Sequence, residues 1–365
     1  MSQLHQASCQ WANRPTDQRF TSLTELNDSV HYFRKNATSK VLPSRSLECV
    51  PVEGDSKALQ VVGPNGASVN VTNWAFGQIA ARAGAPAGYL RSLPAALAAD
   101  NINYGLQYIR DREDIGVLLY KGEGAPELRA VTGPAYGRVW NSTITSALVD
   151  RFGDGITGDF RVPGEFGKRV EVTKENTTLY ASDRDLFVFL ADEDHRITVP
   201  NRRDGKSGDL ARGFFVQNSE VGSTTLSIAT FLFDYVCCNR IVWGAQQYAE
   251  IKIRHTASAP DRWLEEVVPA IESYANSSSE SVVLAIADAK KKRIENIDTF
   301  LATRKFTQST INAVKAAHLS DEGRPIENLW DAATGITAYA REVQYQDERV
   351  KLERAAGKIL DLATA

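Results

Sequence analysis

The sequence predicts an α+β protein, with a mainly antiparallel sheet core, packed helices and a C-terminal helical region. Three observations predict it. Apolar runs of strand length, separated by turn residues, recur through residues 41–256. Two pairs of them are spaced as hairpins: Ile115–Tyr120 with Glu127–Val131 across KGEGAP, and Thr177–Ser182 with Leu186–Leu190 across SDRD. From residue 257 onward the apolar residues follow a helical period instead. The expected division is a polar lead-in over 1–40, an α+β core domain over 41–256 and a helical region over 257–365, packed on the core. No internal repeat and no long heptad seam appears.

In order along the chain, Thr21 or Ser22 is placed to cap a short helix, with Glu25 in its first turn. Val41–Leu47 and Ala58–Val62 have strand composition, and Asn65-Gly66 marks a turn. Thr72 or Asn73 caps WAFGQIAARAG, which Gly84 and Pro86 end. Trp74, Phe76 and Tyr89 sit at helical spacing among alanines, which favours core packing over base stacking. A helix follows Trp140-Asn141 and ends near Gly153, and RVEVT reads as a strand. The polar stretch DEDHRITVPNRRDGKSGDLARG is too long for a tight turn, so a functional or mobile loop is expected there. GFFVQNSEVG, STTLSIATFLFDYV and EIKI return to strands, the last with clean alternation. Ser258 and Asp261 resemble a capping box opening the helical region.

Composition narrows the function classes. The 365 residues carry 43% apolar and 24% charged side chains, a net charge of -3 and a pI near 6.0. Nucleic-acid binding therefore needs a local basic face, since no global basic field exists. No run approaches the ~20 apolar residues of a membrane span, and the first twenty residues lack a secretory apolar region. Cys9, Cys49, Cys237 and Cys238 form neither a disulfide nor a zinc pattern, and a reducing cytoplasm is the simplest setting.

The candidate site lies between Ser207 and Thr256, where polar residues punctuate apolar strands. Arg202, Arg203, Lys206 and Arg212 lie in or beside the polar loop, and Lys252, Arg254 and His255 on or just past the last strand. A loop folded over that strand would bring all seven to one anion-binding groove, suited to phosphate. Asn218, Glu220, Asn239 and Arg240 would support it, the asparagines at turns and Glu220 orienting Arg240 or Arg254. Two plainer explanations stand beside this: surface ion pairs with Asp192, Glu193, Asp194 and Asp204, and buried side chains satisfying backbone groups. Asp192–His195 offers hard carboxylates to a divalent metal, but a solvated turn explains it more simply. Cys237 and Cys238 read as apolar fillers rather than nucleophiles. Lys290–Arg293 wraps right round a helix and forms no single basic face. No phosphate loop, dinucleotide fingerprint or HExxH occurs, and neither a metal nor a cofactor is expected.

NSEVGSTTLSIATFLFDYVCCNRIVWG followed by IKIRHT resembles the phage- and plasmid-associated proteins of domain-of-unknown-function family 932. Thr72–Ala80, Gly84–Pro86 and Tyr89-Leu90 resemble its early helical segment, Leu128–Ala130 with Tyr136 and Trp140-Asn141 its middle block, and Leu329-Trp330 with Thr334–Tyr339 its closing helices. The resemblance spans roughly residues 40 to 345 and implies a mobile-element setting in the cytoplasm of a bacterial host. It supplies no catalytic residues. The leading expectation is therefore a nucleic-acid-associated protein without covalent chemistry, with single-stranded DNA as partner and recombination as the analogy. A metal-dependent hydrolase using Glu220 or Asp192–Asp194 with His255, and a scaffold self-associating through Trp330, Tyr339 and Tyr345, are the alternatives.

Overall fold

Two sheets share this chain, and the second is spliced into the first. The computed structural model describes residues 15–109, 113–163, 171–200, 202, 205–234, 239–241, 250–343 and 346–364. Strand β1 (Arg19–Phe20) and helix α1 (Leu23–Lys35) come first. Ser22 accepts from the Glu25 amide, while Glu25 Oε2 accepts from the Thr21 amide at 2.7 Å and hydroxyl at 2.8 Å. This reciprocal cap starts the helix as the sequence predicts. Phe20, Leu23, Leu26 and Val30 belong to the core of the large sheet, so packed structure begins well before residue 41.

The inserted unit comprises β2 (Ala37–Pro43), β3 (Glu48–Pro51), β4 (Leu59–Val62), β5 (Ser68–Val71), helices α2 (Asn73–Arg82), α3 (Ala87–Ser92) and α4 (Ala95–Tyr104), then β6 (Asp114–Tyr120) and β7 (Glu127–Thr132). Its strands run in the order β2-β6-β7-β5-β4-β3, antiparallel except for β5 with β7. Thr72 caps α2 by accepting from Ala75 N. Gly84 ends that helix region at a φ of 74°, which suits glycine. Val61, Ile79, Ile102, Ile115 and Val117 form a core separate from that of the large sheet. Strand β2 stops at Pro43 and a 3-10 turn follows, so it lies earlier than the expected Val41–Leu47. Trp74 and Phe76 pack as expected, but Tyr89 is 59% exposed.

Helix α5 (Asn141–Phe152), ended by Gly153 at a φ of 63°, returns the chain to the large sheet. That sheet adds β8 (Phe160–Arg161), β9 (Leu179–Ala181), β10 (Leu186–Asp192), β11 (Ile197–Val199), β12 (Gly208–Asn218), β13 (Leu226–Asp234), β14 (Asn239–Ile241) and β15 (Glu250–Ile253). Its central order is β1-β9-β10-β12-β13-β14, with β15 also on β13. The period of two separates its faces. Leu186, Val188, Phe214, Val216, Ile228 and Ile253 pack with α1 and α5 residues, while Phe187, Phe189, Phe215 and Phe231 stack on the other face. The rings of Phe189 and Phe231 lie 4.6 Å apart and nearly parallel. Gly213 is required beneath them, because a Cβ there would meet the Phe231 ring at 2.3 Å and Leu190 O at 2.9 Å.

Two expectations fail here. The long polar loop is instead a hairpin, with Ile197↔Leu210 and Val199↔Gly208 in register and both Ile197 and Val199 buried against the C-terminal helices. A three-residue strand flanked by charge is too short to show a period. In RVEVT, Glu171–Thr173 form no strand, and Arg169 and Val170 lie outside the described residues.

The helical region contains α6 (Ala259–Arg262), α7 (Val268–Asn276), α8 (Glu280–Lys291), α9 (Ile297–Ala302), α10 (Gln308–Glu322), α11 (Leu329–Glu342) and α12 (Gln346–Thr364). Ser258 makes no side-chain cap, contrary to the capping-box reading. A π turn, Trp263–Val267, joins α6 to α7, consistent with the amide that Pro269 lacks. Helix α11 is buried nearly all round, and Trp330 is fully enclosed, so it offers no surface for self-association. Tyr339 packs against the same core, and Tyr345 lies outside the described residues. Around Trp330 lies an ionic cluster. Arg202 meets Glu322 Oε1 at 2.6 Å, and Arg324 grips Asp331 with two bonds of 2.6 and 2.7 Å. Burial pushes the fully enclosed His318 imidazole down to about 4, with Asp331 and Asp321 opposing the shift and Arg324 and Arg202 adding to it. The turn after α9 places Lys305 at a φ of 68°, where a side chain costs about 1 kcal/mol relative to glycine.

Gly213→Ala should destabilise the fold by about 1–3 kcal/mol through overpacking, read as a lower thermal midpoint. His318 generates a pH dependence. The unfolded imidazole binds a proton near 6.5 and the folded one only near 4. Stability present above pH 6.5 is therefore lost as pH falls towards 4, by up to about 3 kcal/mol. Thermal midpoints measured across that range should fall in the native chain and fall less in His318→Gln.

Candidate nucleic-acid interface

The turn between β12 and β13 buries its own backbone, and the surrounding chain is built to satisfy it. Asn218 and Ser219 are fully enclosed, so their polar groups need partners. Asn218 Nδ2 donates to Val139 O and Asn141 Oδ1, both at 2.8 Å. Tyr136 OH donates to Ser219 O at 2.8 Å and Arg138 Nε to Glu220 O at 2.7 Å. Trp74 Nε1 and Gln78 Nε2, both on α2, donate to Val221 O at 3.0 and 2.7 Å. The inserted sheet is thereby fastened to the large one through this turn.

The Glu220 carboxylate accepts from Asn141 N at 2.7 Å. Burial raises its pKa, while that bond and the Arg138, Arg129 and Arg34 guanidiniums oppose the rise. Burial lowers the Arg138 guanidinium in turn. These arginines rest on aromatic rings. Arg34 lies 3.9 Å over Trp140, Arg129 4.1 Å over Tyr120, Arg138 5.4 Å over Tyr136 and Arg184 5.8 Å over Trp74. Each contact is of cation–π type. Arg34 and Arg184 are exposed at the rim. Sequence reading missed this cluster because its members come from α1, β7, the segment before α5 and the β9–β10 turn. The local signal was Arg138 two residues before Trp140-Asn141.

The expected seven-residue groove does not form. Arg202 and Arg212 are buried, the first on Glu322 and the second on Asp192 Oδ2 at 3.1 Å and Ser277 O at 2.6 Å. A guanidinium enclosed with a carboxylate cannot also serve a surface groove. Lys206 is exposed, but at the far end of β12 from the row Gln217–Ser227–Lys252. Gly208–Gln217 alone spans roughly 30 Å at about 3.3 Å per residue. Lys252 and Arg254 are exposed, while their neighbours Ile251 and Ile253 face the core, as the alternation predicts. Burial lowers the His255 pKa and so disfavours its cationic form. It stacks on Tyr136 at 4.8 Å, and its Nδ1 meets Gly137 O at 3.1 Å. Asn239 and Arg240 contribute backbone to β14; their side chains, and Arg203, Cys237 and Cys238, lie outside what is described.

A hydrolase site combining Glu220 with Asp192–Asp194 loses its geometry. Asp192 binds Arg212 and the His195 amide, and Glu193 and Asp194 both pair with Arg161. Asp192 and Glu220 sit at opposite ends of the β10–β12 pairing, in which Leu186 faces Asn218 and Ala191 faces Gly213. That separation is roughly 20 Å, too far for shared acid–base work. Among the described residues, no group of three or more His, Cys, Asp or Glu is placed to hold a metal ion. Nor is any described helix long and apolar enough to cross a membrane.

No curated protein and no solved structure matches the chain. A family model described as Domain of unknown function (DUF932) matches residues 167–357. The match takes in the buried turn, β12 to β15 and most of the helical region, and leaves out the earlier blocks around 72–90 and 128–141. It covers just over half of the chain, and the chain belongs to that family.

Proposed function

We propose that the protein binds nucleic acid through the phosphate backbone, without covalent chemistry, in the phage- or plasmid-borne setting that its family resemblance suggests. The observation supporting this reading is the set of guanidiniums laid on aromatic rings around the Asn218–Thr225 turn, with Arg34 and Arg184 at the rim. Single-strand binders combine fixed cations with aromatic surfaces in this way. Lys252 on β15 and Arg254 just past it add two exposed cations, and the next residue, His255, touches Tyr136.

A second reading, a partner-binding scaffold, has its own support. Asn218 and Glu220 are paired inside the fold, and α4 carries an exposed ridge of Leu97 and Tyr104 continued by Tyr108.

Anisotropy of a labelled single-stranded oligonucleotide separates the two. Binding should weaken with salt, with a log–log slope of about -0.7 for each phosphate neutralised. Arg34→Ala/Arg184→Ala and Lys252→Ala/Arg254→Ala should each weaken it about tenfold and flatten the slope. No binding at low salt, or binding indifferent to both double variants, refutes the nucleic-acid reading.

A further inference from the structure

The α9–α10 turn and helix α12 enclose a cleft of about 460 Å³, remote in sequence from the Asn218 turn. Its volume lies within the range of small-ligand sites. Arg304 and Lys305 line one wall, Arg354 and Lys358 the other, and Phe306 and Ile359 supply apolar surface between them. None of the nine lining residues is acidic. The Arg304 guanidinium lies 3.6 Å over the Phe300 ring and donates to Phe300 O at 2.8 Å. Its position is therefore set before any ligand arrives.

One local choice here works against folding. Lys305 occupies a left-handed backbone position at a φ of 68°, and it is the only non-glycine to do so among the described residues. The turn is closed by Lys305 N on Ala302 O and Phe306 N on Leu301 O. That motif ordinarily takes glycine or asparagine. Arg354 and Lys358 stand four residues apart on α12, about one helical turn, so both line the same wall of the cleft. Strain that the fold does not need clusters where function resides.

We propose that this cleft binds a nucleotide, with its phosphates on Arg304, Lys305, Arg354 and Lys358 and its base against Phe306. The charge calls for a polyanion, and the apolar strip between the walls calls for a planar or apolar body attached to it. The inference stands apart from the oligonucleotide reading above, since it uses different residues and a free ligand.

Isothermal titration of the full chain with adenosine 5′-triphosphate, inorganic triphosphate and adenosine is the test. The nucleotide should bind at least tenfold more tightly than either fragment. Arg354→Ala/Lys358→Ala should weaken it tenfold or more. Lys305→Gly should also weaken it several-fold while leaving the thermal midpoint equal or higher, because it relieves strain. That last pairing separates a binding loss from a folding loss. A short single-stranded oligonucleotide, added as competitor, shows whether the nucleotide is free or one unit of a strand. Displacement of the nucleotide assigns the cleft to a strand, and indifference to the competitor assigns it to the free ligand. No heat with the nucleotide, triphosphate binding as tightly as the nucleotide, or unchanged affinity in Lys305→Gly overturns the proposal.

Discussion

Burying a turn is the constraint on which the rest of this structure depends. The carbonyls of Ser219, Glu220 and Val221 lie inside the protein, away from water. Each would cost on the order of 1–3 kcal/mol if left unpaired. Their donors come from α2 and from the segment before α5, so satisfying the turn also joins the two sheets. The Glu220 carboxylate is drawn into the same place and brings the arginines with it. The aromatic rings beneath those arginines then keep the guanidiniums ordered while leaving two of them at the surface.

Much of the fold was legible because it rests on local chemistry. The Thr21–Glu25 cap, the Thr72 cap, both hairpins and the alternation of Ile251 and Ile253 with Lys252 and Arg254 all appear as read. What was not legible depends on partners far along the chain. Arg202 in a polar stretch looks like a surface cation, and nothing near it announces Glu322. Arg212 likewise depends on a folded hairpin to meet Asp192. Of the candidate site, Asn218 and Glu220 were recognised as structural, and Lys252 and Arg254 as exposed. The guanidinium cluster was invisible because tertiary contact alone assembles it.

The same contrast explains the basic run Lys290–Arg293. Helical geometry predicts that four successive cations point in different directions, but the helix ends at Lys291, Lys292 is extended and Arg293 bridges Asn328. Lys290 turns inward to Pro200 O, with burial lowering it to about 8. Lys291 pairs with Asp288, and Lys292 caps Leu362 O near the end of α12. A dense charge run thus becomes two fastenings, of α8 to the β11–β12 hairpin and of its end to α12, and one pair within α8.

The spliced arrangement of the sheets has a consequence for synthesis. Arg19 must pair with Tyr180, a residue that leaves the ribosome only after about 160 more have been made. At about 5–20 residues per second, β1 waits roughly 10 to 30 s for its neighbour. In that interval the whole inserted sheet has emerged, with Val61, Ile79, Ile102 and Val117 able to gather into a core of their own. The nascent chain therefore carries a finished module tethered to an unsatisfied α1, whose apolar Leu23, Leu26 and Val30 stay exposed until the large sheet closes over them.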